Sequence, residues 1–364
     1  MKGLYLLLAI KAIKANRLKT SLIILSLVFS ITSIFLITSI SNGVISMYSS
    51  MLKSDGDIII TQKNISDTFF SNVDIKLIEK IETLDEVTKA SALIVGASMI
   101  EELPIVAVYG VTKNRFENYN LIQGSYPKEN EVLLGKSIYE NLDKKDEIKL
   151  SNKVFKVAGV FESSIGFENG GAVLNINDAS KIFNKSASMI MVNCKIDTDI
   201  EKLALKINLF DKEIEAKSTS NFVDNYNQFK IIKTSSNVIS FISFCMGLLT
   251  IASILSITIN QRKSEFGIKR AIGISMKKII FQIVNEAVIL GVLGFFIALI
   301  ISNLALFLIK NNSFLQGYVN GEISLDITIF IFFTTLTISI LGSIFPALNA
   351  SKTDPIVLIQ GDKI

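Results

Sequence analysis

The sequence has no His and no Trp, and only two Cys and four Pro among 364 residues. Without His there is no Ser-His-Asp triad and no His-ligated zinc or haem. Of the two cysteines, Cys194 lies in a polar region and Cys245 in a long apolar run. That separation excludes a disulfide framework, and the count excludes a multi-cysteine metal cluster. No phosphate loop of the form G-x-x-x-x-G-K-S/T occurs. Charged residues are scarce, at 19%, and the net charge of +4 is too small to imply nucleic-acid binding. Soluble domains carry about 25% charged residues. With 49% apolar residues and a mean hydropathy of +0.47, an ordinary soluble enzyme and a disordered chain are both excluded.

The apolar excess is concentrated in four runs. Residues 20–52, 234–261 and 327–351 contain no Asp, Glu, Lys or Arg, and residues 279–309 contain only Glu286. About 20 helical residues cross a ~30 Å hydrocarbon core, so each run is long enough to span. The first run exceeds the h-region of a cleaved signal peptide and follows a segment that is itself largely apolar, which argues against cleavage. The spacing predicts transmembrane helices at 20–42, 233–261, 279–309 and 326–346. Lys2, Lys11, Lys14, Arg17 and Lys19 precede the first, and Arg262, Lys263, Lys269, Arg270, Lys277 and Lys278 lie between the second and third. The positive-inside rule puts these clusters in the cytoplasm, with both termini, and puts the segment between the first two spans outside.

That segment, 43–232, carries 22 Lys and Arg against 27 Asp and Glu. Its size suffices for an independent core. Asp57 to Thr61, Leu103 to Val111 and Met189 to Ile196 read as strands. Glu147 to Phe161 reads as two strands about a Ser151-Asn152 turn. Ile75, Leu77, Ile78, Ile81 and Leu84 recur at helical spacing, and Asn177 or Asp178 is placed to cap a helix reaching Phe183. Ile200, Leu203, Leu205 and Ile207 fit either a helix or an exposed strand. The expected fold is a membrane protein with four transmembrane α-helices (1+3) and a large extracytoplasmic α+β domain between helices 1 and 2. The acidic residues read as a solvated surface, and Gly166 to Gly171 as a flexible loop. Residues 1–19 read as a cytoplasmic interfacial helix or simply as a basic flank that fixes topology. Residues 310–325 form a short outer loop and 347–364 a cytoplasmic tail.

Between the second and third spans, residues 262–278 form a short basic loop. Glu265 and Lys269 have the favourable i,i+4 order, Phe266, Ile268 and Ile272 offer apolar anchors, Gly267 permits close approach, and Gly273 can end a helix. Such an amphipathic helix can dock on a cytoplasmic partner. Within the third span, Gln282, Asn285 and Glu286 share a face, and a carboxyl there is costly enough to be a functional candidate. Inter-helix or loop-anchoring hydrogen bonds and ion handling are both open readings.

The run Arg262-x-x-Glu265-x-Gly267-Ile268-Lys269-Arg270-Ala271-Ile272-Gly273 resembles the signature of the MacB/FtsX/LolC-like ABC transporter permeases. Glu286-Ala287-Val288-Ile289-Leu290-Gly291 is similar to its continuation in the third span. Pro346 to Ile356 resembles the family's ending, and Asn16 to Leu22 its approach to the first span. The resemblance implies an outer domain of the MacB periplasmic type within 43–232. It carries Arg262, Glu265, Phe266, Gly267, Ile268, Lys269, Arg270 and Gly273 over to the ATPase-coupling element. It also implies a non-catalytic permease with no cofactor of its own, paired with a second permease as a homodimer or paralogous heterodimer. Two copies of an ABC ATPase on a separate polypeptide would bind the ATP and Mg, and a periplasmic adaptor or substrate protein is a further implied partner. The setting implied is the cell (inner) membrane, with the large domain periplasmic or extracellular. The function implied is export or extraction of a hydrophobic or amphipathic substrate of the lipoprotein, antimicrobial, peptide or haem class. The alternative is FtsX-like signal transmission to an extracytoplasmic partner.

Overall fold

The computed structural model describes residues 17–101, 105–143, 145–163, 166–311 and 321–352. The predicted interfacial helix before residue 17, most of the outer loop and the tail beyond residue 352 lie outside the described residues. Two compact units form. One contains residues 43–233, and the other residues 17–42, 234–309 and 321–352.

Helix α1 (Arg17–Asp55) is a single helix of 39 residues, rising about 58 Å at 1.5 Å per residue. It therefore continues well past the predicted end of the first span at residue 42. No Pro interrupts it, and in its last turns Ile45, Tyr48, Met51 and Leu52 find apolar partners within the domain of residues 43–233.

That domain is built on a ten-stranded mixed sheet. Its strands are β1 (Ile58–Gln62), β2 (Val87–Ser98), β3 (Val106–Val111), β4 (Asn120–Gly124), β5 (Glu131–Gly135), β6 (Glu147–Leu150), β7 (Lys153–Glu162), β8 (Ala172–Asn175), β9 (Met189–Cys194) and β10 (Ile214–Ser218). They lie in the order β10-β1-β9-β2-β3-β8-β5-β7-β4, with β6 on β7. Only β3/β8 and β5/β7 are parallel among these pairs. Both faces of the sheet are covered. Ile58 and Ile60 point to one face, with Ile94 and Val192, under helices α2 (Leu77–Glu82), α5 (Ile176–Phe183) and α6 (Ile200–Ile207). Ile59, between them, points to the other face with Leu93, Tyr109 and Met191, against Leu52 of α1 and Val223 of α7 (Thr219–Asn225). Short helices α3 (Lys136–Asn141) and α4 (Gly166–Asn169) complete the domain.

Local chemistry sets the joints. Ser151 and Asn152 have φ of 54° and 73°, the pair of positive values that a two-residue hairpin turn requires. Residues 200–207 are helical, capped by Asp199. Three expectations are corrected. The cap of α5 is Asn175, whose side chain accepts from Asn177 N at 3.0 Å, and not Asn177 or Asp178. Asp178 is buried inside the helix, accepting from Asn130 N (2.7 Å) and Lys153 Nζ (3.0 Å). The predicted flexible loop 166–171 begins with the helical turn α4, in which Glu168 is buried and accepts from Ser163 Oγ at 2.7 Å. The acidic residues are thus not uniformly a solvated surface. Asp55, Glu168 and Asp178 are buried because local donors compensate them.

The second unit contains the helices long and apolar enough to cross a membrane, four among the described residues. They are α1, α8 (Asn227–Gln261), α10 (Met276–Lys310) and α11 (Leu325–Lys352). Leu27, Ile31 and Phe35 of α1 pack with Ile251 of α8, Leu290 and Phe295 of α10, and Ile331 and Ile338 of α11. Phe295 lies 5.8 Å from Phe35 and 5.2 Å from Phe332, ring centre to ring centre. At Gly291 a Cβ would run into the Ser339 side chain, so the glycine lets α10 and α11 approach without displacing it. Hydroxyls such as Thr250, Thr258 and Thr335 donate to carbonyls four residues back, satisfying themselves within their own helices. Leu25, Phe29, Phe296, Ile300, Phe330 and Phe333 point outward. The last helix passes Pro346 and extends to Lys352, beyond the predicted boundary at 346, because Ala347 is fully buried in a further cluster described next.

Candidate functional site

At the end of α8 the chain turns sharply. Arg262 has φ −104° and ψ 13°, and helix α9 (Lys263–Ala271) follows at once. Gly273, at φ +91°, stops α9. Its N–H bonds Arg270 O at 3.0 Å, and Ile274 N bonds Lys269 O at 3.0 Å, which is the paired bonding of a Schellman end. The short helix expected within this loop is thus nine residues long, one residue after α8 and four before the next helix.

One face of α9 is held by a closed polar network. Arg262 Nε and Nη2 donate to the two oxygens of Glu265 at 2.8 and 3.1 Å. Arg262 Nη1 donates to Glu286 Oε2 of α10 at 2.9 Å. Lys269 Nζ reaches Glu265 Oε1 at 2.7 Å and Gln282 Oε1 at 3.1 Å, and Gln282 Nε2 closes the ring on Glu286 Oε1 at 3.1 Å. Two cations thus face two carboxylates, so the cluster is neutral where charge is expensive. Asn285 is half-buried and takes no part in this network.

The apolar anchors divide. Phe266 is 1% exposed, packed on Ile259, Ile279, Ile283 and Ala347, with Arg262 and Lys269 over its ring at 5.1 and 5.6 Å. Gly267 is buried beside it. Ile268 and Ile272 face the opposite way, at 55% and 73% exposed. Arg270 is half-buried. α9 is therefore fastened by Phe266 and its ion pairs while presenting two isoleucines outward.

Glu265 feels opposing effects. Burial pushes its carboxyl up, but hydrogen bonds from Arg262 and then Lys269 outweigh that and bring it down from 4.5 to about 2. Burial opposes the Arg262 charge, but Glu265 and Glu286 together hold its guanidinium above the ordinary value. Because Glu265 binds fewer protons folded than exposed, its contribution is complete above about pH 4.5 and is lost as pH falls toward about 2. Isotope-edited infrared titration of the Glu265 carboxylate should give a midpoint near 2, and a midpoint near 4.5 would contradict the network.

A second constellation has no local signal in the sequence. Asp55, the last residue of α1, accepts from Arg115 Nη2 at 2.6 Å and from Asn118 Nδ2 at 2.9 Å. The side chains of the pair are 2% and 5% exposed. Burial opposes the Arg115 charge, and Asp55 more than restores it. Nearby, burial pushes the Glu168 carboxyl up. The end of the first long helix is thereby clamped into the sheet domain. The two residues are 60 apart in sequence, and only the folded sheet brings them together.

Comparison with known proteins gives two family matches. The MacB-like periplasmic core domain family matches residues 20–208, and the FtsX-like permease C-terminal family matches residues 237–355. An uncharacterised ABC transporter permease of Methanocaldococcus jannaschii is 24% identical, over 97% of each chain. The macrolide export ATP-binding/permease protein MacB of Escherichia coli is 22% identical over 98% of this chain, which spans 60% of MacB's length. HrtB of Staphylococcus haemolyticus, named for a hemin transport system, is 22% identical over 66% of this chain and 67% of its own.

Proposed function

The chain belongs to the ABC transporter permeases with a MacB-like periplasmic core domain and an FtsX-like C-terminal region, and from this membership we propose that it relays the work of an ABC ATPase to that domain. ATP and Mg bind to a separate ATPase chain, present in two copies beneath a pair of permeases. Closure of the ATPases presses on α9, and the helices continuous with the extracytoplasmic domain move it. The substrate is then exported or extracted on the outer side and belongs to the hydrophobic or amphipathic class. Both termini are cytoplasmic, as the basic clusters favour.

The observation that carries this reading is the two-sided character of α9. Its inner side is locked to α10 through Arg262, Glu265, Lys269, Gln282 and Glu286. A push on the outer side is therefore transmitted to the spans and not absorbed by a loose loop. The outer side offers Ile268 and Ile272, apolar residues suited to a groove on a partner. Replacing both, Ile268→Asp with Ile272→Asp, should reduce co-purification of the ATPase by about tenfold or more, as loss of an interface hot spot does. The melting of the permease itself should be unchanged, because neither side chain is buried. Undiminished retention of the ATPase would overturn the assignment.

A further inference from the structure

Within the domain of residues 43–233, a cavity of about 410 Å³ opens on the sheet face carrying Leu93 and Tyr109. Such a volume suits a small molecule. Its wall is strongly aromatic. Phe222 stacks on Tyr226 with ring centres 5.1 Å apart, Phe229 meets Tyr226 edge-on at 5.1 Å, and Tyr48 lies 6.4 Å from Phe229. Phe69 contributes from a short turn.

One charged side chain lines this space, the carboxylate of Asp67. Its Oδ1 accepts from Phe69 N at 2.8 Å and from the Tyr226 hydroxyl at 3.0 Å, and its Oδ2 accepts from Gln228 Nε2 at 2.8 Å. Burial pushes the Tyr226 hydroxyl up to about 12, so it remains a donor. These donors are all neutral. They fix the carboxylate in place without cancelling its charge. Lys185 is held by the Phe69 carbonyl, lies 4.7 Å from the Phe69 ring centre and feels the Asp67 charge from outside the cavity lining. Among the described residues no ion pair joins it to Asp67. A negative charge fixed beside a cluster of π faces is the arrangement that attracts an organic cation and repels a fatty acid or an anionic head group.

We propose that this cavity binds a hydrophobic monocation, with its amine or onium centre beside Asp67 and its apolar body against Tyr48, Phe222, Tyr226 and Phe229. Calling that ligand a transported substrate rests on the permease reading above, whereas its binding does not.

The test uses the full chain in dodecyl maltoside without any ATPase. Equilibrium dialysis compares tetraphenylphosphonium with tetraphenylborate, two ions of matching shape and opposite charge, after subtraction of empty micelles. The cation should bind saturably and the borate should not. Affinity for the cation should fall by about tenfold or more in Asp67→Asn, which removes the charge but keeps an acceptor for Phe69 N. It should fall equally in Val95→Trp, which fills the cavity from β2. Saturable binding of the borate at equal or greater affinity, cation binding unchanged in either variant, or no saturable cation binding by the parent chain would overturn the proposal. The Ile268/Ile272 double variant should bind the cation normally. Failure here therefore leaves the coupling assignment standing, and loss of ATPase docking leaves this one standing.

Discussion

Arg262→Ala is expected to destabilise the membrane unit by about 3–5 kcal/mol, the usual consequence of stripping one partner from a buried ion pair. Glu286 would be left with a charge and only Gln282 for company, and its side chain is 8% exposed. Glu265 would lose both of its guanidinium bonds and keep only Lys269. Phe266 would lose the cation above its ring. The damage should be repaired in large part by Glu286→Gln in the same chain, since removing the orphaned charge removes most of the penalty. Glu286→Gln alone should retain assembly with the ATPase, because its amide keeps an acceptor for Arg262. Protein yield and thermal denaturation of the purified chain would measure both effects. An Arg262→Ala chain as stable as its parent, or one that Glu286→Gln does not rescue, would show that the network is not what holds α9 in place.

Arg115→Ala should be about as severe in the domain of residues 43–233. Asp55 would keep Asn118 but lose its one ion-pair partner among the described residues, in a site with almost no access to water. The expected loss is again about 3–5 kcal/mol. Hydrogen exchange of the β1, β2 and β9 amides in the full chain should accelerate by about two to four orders of magnitude, since each of these strands is paired on both sides and is expected to open with the domain as a whole. Pairing Arg115→Met with Asp55→Leu should recover most of the protection, because matched apolar groups carry no desolvation cost. Unchanged exchange in Arg115→Ala would mean that the pair contributes nothing to the domain.

The spans were legible because a run free of charge is a one-dimensional signal. Their ends were less so. The segments 43–55 and 227–232 are ordinary in composition, and they remain helical because Leu52 and Phe229 find apolar cover in the sheet domain. The Ser151-Asn152 hairpin was legible from turn chemistry alone. Strands β4, β5, β8 and β10 are not among those the sequence predicts, and β2 is the hardest of the five missing strands to read. Its central residues 90–94 are buried in succession, so no alternation marks a strand buried on both faces. The Glu265–Lys269 pair could be read from its spacing, whereas the Arg262–Glu286 bond crosses 24 residues and needed the turn at Arg262 to form. Asp67 and Tyr226 are likewise 159 residues apart, and nothing local to either marks a cavity.

The relay itself is tested most directly by distance measurement across the proposed permease pair. Ile196, 94% exposed in the outer domain, is replaced by Cys after Cys194 and Cys245 are changed to Ser, and spin labels are attached in the assembled complex. Pulsed electron resonance then compares the nucleotide-free complex with one trapped on ATP and Mg. The account requires the distance distribution to change with nucleotide, and to stop changing when Ile268→Asp and Ile272→Asp are added. Identical distributions in both nucleotide states of the parent complex would contradict it.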